Sequence, residues 1–166
     1  MTKDKIAIMK NVVFFGVATV CGVSLDILTK WAVFSRLDDF SKIILIPGFL
    51  NILKGKNEGV VFGMFPGGTN VFIVFSALAI VAILYIYTKS NKTFFLSSLA
   101  LGFILAGAIG NLWDRIWFGF VRDFIDLHAA QKYHWPTFNI ADTLICVGVS
   151  AMVFSSFSTS QSKKSD

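Results

Sequence analysis

The sequence predicts a mainly α integral membrane protein: four transmembrane helices with a small extracytoplasmic β-sheet lying on the membrane surface. Three observations carry this. The 166 residues are 55% hydrophobic and only 15% charged, with a mean hydropathy of +0.69, where a soluble domain carries charge at about a quarter of its positions. The apolar residues collect in four long blocks, each approaching the ~20 residues needed to cross ~30 Å of hydrocarbon at ~1.5 Å per residue. The polar residues within and beside these blocks gather toward one side of the bilayer once the topology is drawn. Residues 1–158 read as a single membrane-embedded domain, too short for two, followed by a polar cytoplasmic tail at 159–166.

The first span covers residues 11–34, after a short basic start with Lys3, Lys5 and Lys10. It reads as a retained helix, because it is too long for a secretory signal and carries Asp26 and Lys30 near its end. The connection that follows has β-branched runs punctuated by Pro47-Gly48, Gly55, Gly59 and Gly63, which predicts a few short strands and turns. The second span, 70–88, is almost free of polar residues, and the third covers 93–113. The connection after it, with Trp117, Phe118, Phe120, Tyr133 and Trp135, reads as a partly buried interfacial segment anchored by aromatics. The fourth span covers 138–157. Four spans put both termini on one side. Lys3, Lys5, Lys10, Lys89, Lys92, Lys163 and Lys164 crowd into three short segments, so these should be cytoplasmic and the two longer connections should face outward.

The net charge of +5 does not indicate nucleic acid, because Lys and Arg flank apolar blocks without forming a basic stripe. Cys21 and Cys146 lie within apolar helices and read as buried small hydrophobes. His128 and His134 show no HxxxH spacing and no CxxC occurs, so they read as surface or interfacial side chains and no metal is expected.

The ionisable residues point to a site. Asp26 and Lys30 lie one turn apart in the outer half of the first helix; Asn111, Asp114 and Arg115 share a face at the outer end of the third. Asn139 and Asp142 stand near the outer start of the fourth, with Asn57 and Glu58 in the first outer connection and Asp123 and Asp126 in the second. Helix ends explain several of these, but not Asp26, ~12 Å inside its span at helical rise. An ionisable group inside a membrane protein is costly and defaults to a functional hypothesis. Asp26 and Lys30 suit a salt bridge that locks the first helix to its neighbours, since Ser24 lies on a different face and cannot serve Lys30 as a catalytic partner. Asp142, paired with either Asp123 or Asp126, would make a two-carboxylate site.

Five motifs in this order resemble the lipoprotein signal peptidases (signal peptidase II): Asp26-x-x-Thr29-Lys30; Asn57-x-Gly59 with Phe62-Gly63; Gly110-Asn111-x-x-Asp114-Arg115; Val121-x-Asp123-Phe124; and Phe138-Asn139-x-Ala141-Asp142. The resemblance implies an aspartyl endopeptidase of the bacterial cytoplasmic (inner) membrane, working without metal or cofactor. It implies diacylglyceryl-modified prolipoprotein substrates, cleaved just before the lipidated cysteine, with membrane lipids as the other partner. The chain is expected to be a monomer. The catalytic pair then falls on Asp123 and Asp142, leaving Asp126 as a solvated or structural acid. Asn57, Gly59, Asn111, Arg115 and Asn139 fall at positions that bind substrate or shape the site, and Asp26, Lys30 and Asp114 at structural supports. The sequence departs from the family pattern at Ile27, at Val60 and Val61, and at Arg122, which an extended segment would turn away from Asp123.

Two carboxylates close together in a poorly hydrated site share one proton. The ionised member can take a proton from an attacking water while the protonated member polarises the scissile carbonyl. The Tyr-Asp and Gly-x-Gly-Asp pair of presenilin-like proteases is missing from the sequence, as is the helical histidine that rhomboids need beside their serine. A non-catalytic transporter subunit, the alternative, would carry its polar residues spread through the bilayer depth or at its midplane.

Overall fold

Helix α3, Phe95–Phe118, is the post around which the others stand. The structure is a computed structural model that describes residues 2–59, 69–90, 94–129 and 133–162, except for the side chains of 156–162. Val60, Val61, Phe62 and Gly63, with most of the 159–166 tail, therefore lie outside the described residues or side chains. The chain runs α1 (Lys3–Arg36), β1 (Lys42–Ile46), β2 (Leu50–Asn57), α2 (Thr69–Lys89), α3, β3 (Val121–Ala129), β4 (Tyr133–His134) and α4 (Ile140–Ser162).

Helices in lipid gain little from burying apolar side chains against each other, so close approach through small residues and buried polar contacts drives their packing. Here α1 presents Ala18, Gly22, Asp26 and Lys30, spaced one turn apart, and all four are buried. Facing them on α3 at the same spacing are Gly102, Ala106, Gly110 and Asp114. The two rows meet rung by rung. A methyl on Gly102 would stand 3.0 Å from Ala18 Cβ, and one on Gly22 would stand 2.7 Å from Ala106 Cβ. A methyl on Gly110 would run into the Asp26 carboxylate, and Lys30 reaches Asp114 at 3.3 Å. On the other flank of α3, Gly107 lies against Ala141 and Ile145 of α4, and Gly148 of α4 lies against Ala100 and Ile104.

Helix α2 buries only Ile83 and Tyr87, the latter stacked on Phe15 at 3.8 Å between ring centroids. Its outward face of Val71, Val74, Phe75, Leu78 and Val81 is exposed, as lipid-facing residues would be. Helices α1, α2 and α3 are each long and apolar enough to cross a membrane. In α4 the apolar stretch with described side chains, Ile140–Ser155, is shorter.

The helices outrun the expected spans. Helix α3 continues past Trp113 because Asp114 and Arg115 find partners within the protein, and it stops at Gly119, whose φ of 78° allows a left-handed cap with its N–H on Arg115 O. Helix α1 begins eight residues before the expected 11, at Lys3, and α4 runs beyond 157 to Ser162. Cys21 and Cys146 are exposed, not buried as expected: an apolar face that meets lipid reads in sequence like one that meets protein.

The first long connection forms strands, as expected. The second, expected as a partly buried interfacial segment, contributes a strand as well: β3, the third member of a four-stranded antiparallel sheet ordered β1-β2-β3-β4. Both faces of β3 mix apolar and polar side chains, so the usual alternation of a half-buried strand is missing. Beyond β4 the chain returns along β3: Trp135 N–H donates to Leu127 O, and Phe138 exchanges backbone hydrogen bonds with Ile125 at 2.8 and 3.1 Å. This return strand sets the start of α4 directly beside β3.

The Gly110 contact is testable. In Gly110→Ala the new methyl meets a carboxylate already held by two partners, so the folded state should lose about 1–3 kcal/mol, the usual cost of overpacking. Thermal unfolding of the purified variant should show a lowered midpoint; an unchanged midpoint would mean that α1 and α3 are not in close register here.

Candidate active site

The first turn of α4 organises the polar groups. Asn139, immediately before the helix, accepts the Asp142 N–H on its side-chain oxygen at 2.9 Å, and the Asp142 carboxylate accepts the Asn139 N–H at 3.3 Å. This reciprocal arrangement is a capping box with Asn and Asp in its two roles. Ala141 N–H donates to Asp26 Oδ1 at 2.9 Å, so a carboxylate from α1 satisfies another free amide of α4. The N-terminal end of a helix dipole favours the negative charge that both acids bring.

Asn139 has a second role. It is fully buried, and its amide nitrogen donates to Asp123 Oδ1 at 2.6 Å and to Asn111 Oδ1 at 3.2 Å. Asn111 in turn donates to Asp142 Oδ1 at 2.7 Å. Asp123 and Asp142 are thus tied to one asparagine, although they come from a strand and a helix. Asn57 at the end of β2 donates to Asp123 Oδ2 at 3.0 Å. Asp123 is 1% exposed. Burial first, and the Asp142 charge second, push its carboxyl up to about 6, against the pull of Asn57, Asn139 and Lys30.

Beneath this pair lies a chain of alternating charge. Lys30 Nζ, fully buried, contacts Asp26 at 2.7 Å, Asn111 Oδ1 at 3.2 Å and Asp114 at 3.3 Å. Asp114, also fully buried, accepts from Arg122 Nη2 at 2.8 Å, Arg122 Nε at 3.2 Å and the Arg122 backbone N–H at 2.9 Å. Arg122 points away from Asp123, as an extended strand requires, and its guanidinium sits 4.3 Å from the Phe118 ring centroid. Among the described residues this pairing is the structural partner that the sequence did not reveal for Asp114. A lone arginine on a strand that starts soon after an acid-ended helix was the available signal.

Arg115 is half-buried, lies over the Phe72 ring at 5.4 Å and interacts electrostatically with Asp142 and Asp123. Gly59 adopts a φ of 80°, open to glycine at no steric cost, and its N–H bonds to Asn57 Oδ1 at 2.9 Å. Any Cβ there would strike the Phe72 ring. Gly59 therefore holds Asn57 in its turn, and Phe72 is a contact that sequence reasoning missed. A cleft of about 410 Å³, lined by Lys56, Asn57, Glu58, Asp123, Pro136 and Thr137, opens onto the Asp123 side.

All ten sequence-predicted site residues thus fall in one connected region. Asp126 does not join it. It lies on the opposite face of β3 from Asp123, 7% exposed, accepting from Asn51 Nδ2 at 2.9 Å. His128 beside it is buried, 9% exposed, where a surface or interfacial histidine was expected, whereas His134 is exposed. Pairing of β3 with β4 covers His128, and no sequence signal announced a two-residue strand.

Residues 18–158 match the family model described as signal peptidase (SPase) II. The chain belongs to the signal peptidase II family. Curated relatives named lipoprotein signal peptidase include that of Symbiobacterium thermophilum, 39% identical over 80% of this chain and 87% of the relative. Another, from Syntrophus aciditrophicus, is 37% identical over 87% of this chain and 92% of its own. Two solved structures, described as bacterial membrane enzymes, superpose with TM-scores of 0.82 at 29% identity and 0.78 at 30% identity. The first covers 92% of both chains, and the second covers 85% of this chain and 90% of its own. Membership of the signal peptidase II family makes the chain a peptidase.

Removing Lys30 from this family member would leave Asp26 and Asp114 buried without their shared cation. Breaking a buried pair in this way costs about 3–5 kcal/mol, so Lys30→Ala should lower the yield and melting temperature of folded protein. Loss of activity with yield and melting temperature intact would instead give Lys30 a direct role in the site.

Proposed function

We propose that this chain is an aspartyl endopeptidase that removes the signal peptide from diacylglyceryl-modified prolipoproteins, cleaving before the lipidated cysteine, with Asp123 and Asp142 as the catalytic pair. The observation that carries the pair is their common tie to Asn139, from opposite sides of the β3–α4 junction. The family and the named relatives support prolipoproteins as the substrate. We further read the protein as a monomer of a bacterial inner membrane with four spans, both termini cytoplasmic and the site near the outer face. The lipid chains of the substrate would then stay in the bilayer while its peptide enters the cleft beside Asp123.

Hydrolysis needs a nucleophilic water and a proton for the leaving amine. Asp123, the more buried acid, keeps its proton up to about pH 6 and is the member that donates a hydrogen bond to the scissile carbonyl. Asp142, at the start of α4, takes the proton from the attacking water. Because the two charges interact, their titrations belong to the pair. Once the tetrahedral intermediate forms, a carboxyl protonates the nitrogen and the C–N bond breaks. Arg115 and Asn57 can hold the peptide extended by donating to its backbone carbonyls, a positioning role.

Asp142→Asn should fold and insert normally, yet lower kcat on a lipidated prolipoprotein peptide by at least ~100-fold, the usual contribution of an acid–base group. Normal cleavage by this variant would sink the dyad. The unlipidated peptide should be a poor substrate; equal cleavage of both forms would remove the lipid requirement while leaving the dyad standing.

The pH profile supplies a second check. Deprotonation of Asp123 removes the donor, so kcat/KM should fall as pH rises through about 6. The Asn57 N–H favours the charged form of Asp123, so Asn57→Ala should raise that carboxyl's pKa and move the alkaline limb to higher pH. A shift to lower pH would contradict the assignment.

A further inference from the structure

Asp126, His128 and His134 converge on the face of β3 turned away from Asp123. Asp126 and His128, two apart on the strand, share that face, and antiparallel register sets His134 of β4 directly opposite His128. Asp126 Oδ2 lies 3.6 Å from His128 Nδ1, and Asp126 Oδ1 lies 3.7 Å from His134 Nδ1. One ligand atom from each residue fits within a span of 4.8 Å. The imidazoles stack at 5.4 Å between centroids.

A second observation points to a missing partner. His128 Nδ1 is buried and makes no hydrogen bond, although the ring that carries it is only 9% exposed. Leaving such an atom unsatisfied is costly. The two carboxylate–imidazole separations are too long for hydrogen bonds. They run from the two different oxygens of Asp126, so a small rotation of the side chains brings one donor from each residue to the ~3.3–3.4 Å edge of a tetrahedron whose centre is about 2.0–2.1 Å from each ligand, the geometry of zinc with nitrogen and oxygen donors. Asn51 already orients the Asp126 carboxylate through its 2.9 Å hydrogen bond, as an outer-shell partner of a metal ligand does.

We propose that Asp126, His128 and His134 form a binding site for a divalent transition-metal ion of the zinc class. Two imidazoles and one carboxylate suit Zn²⁺ and disfavour Mg²⁺ and Ca²⁺, which take oxygen ligands. An open cavity of about 600 Å³, lined by Asn51, Asp126, His128 and His134 among others, leaves the fourth position to water or an added ligand. Lys42 also lines that cavity; it is exposed, where water and salt screen its charge. The site takes no part in peptide hydrolysis. Its ion would bridge β3 to β4 and so brace the strand that carries Asp123.

The test uses the full-length protein in detergent, purified without a histidine tag and stripped of metal, and titrated with Zn²⁺ against a chromophoric chelator. One equivalent should bind, and Zn²⁺ should raise the melting temperature, because a ligand specific to the folded state stabilises it. His134→Ala, which truncates an exposed side chain, should keep the fold, weaken binding at least tenfold and remove the thermal shift. Asp126→Asn should weaken it similarly while keeping the Asn51 contact available. Failure of the wild type to bind one equivalent, or binding unchanged in both variants, would overturn the proposal.

Discussion

The buried series Asp26–Lys30–Asp114–Arg122 is the constraint on which the rest depends. Four ionisable groups from α1, α3 and β3 lie almost out of reach of solvent, where each alone would be prohibitive. Their alternating signs leave no net charge, and backbone amides occupy the remaining acceptor positions: Ala141 on Asp26 and Arg122 on Asp114. Because the partners come from separate elements, the series fixes the relative height of α1 and α3, anchors the first turn of α4 and pins the beginning of β3. The small-residue rows on α1 and α3 let those helices come close enough for the ions to meet.

The candidate site is built on top of this foundation. Asp123 follows the residue that grips Asp114, and Asp142 follows the residue whose amide caps on Asp26. Each candidate acid is therefore one peptide unit from an ion-network contact, which gives little freedom to its backbone. Asn139 and Asn111 cross-link the two sides with neutral amides. Neutral donors suit a pair that must hold a single proton, since a cation in direct contact would favour two negative charges.

Much of this was legible in the sequence because the chemistry of a membrane protein is stark. Charges inside apolar blocks stand out, so Asp26 and Lys30 could be assigned to structural support, and the short basic segments suggested an orientation. The strands between α1 and α2 announced themselves by Pro47-Gly48 and β-branched runs. Strand β3 did not, because Val121 shares a face with Asp123, and Arg122 shares one with Phe124. The choice of Asp123 over Asp126 rests on resemblance; the two lie on opposite faces of β3, and Asp123 is the one bonded to Asn139. The burial of His128 depends on cross-strand register, and the contact of Gly59 with Phe72 joins a turn to a helix. Neither leaves a local pattern.

The ion series also divides in a way that bears on biosynthesis. Asp26 and Lys30 are one turn apart on a single helix, and Asp114 and Arg122 are eight residues apart across one helix-to-strand corner. Each half is a neutral pair formed by residues that leave the ribosome nearly together. The first helix can therefore enter the translocon with its lysine and aspartate already compensating each other, and the α3–β3 corner can do the same before the two halves meet. Docking then joins two dipoles, so assembly never requires an isolated charge to wait in lipid for a distant partner.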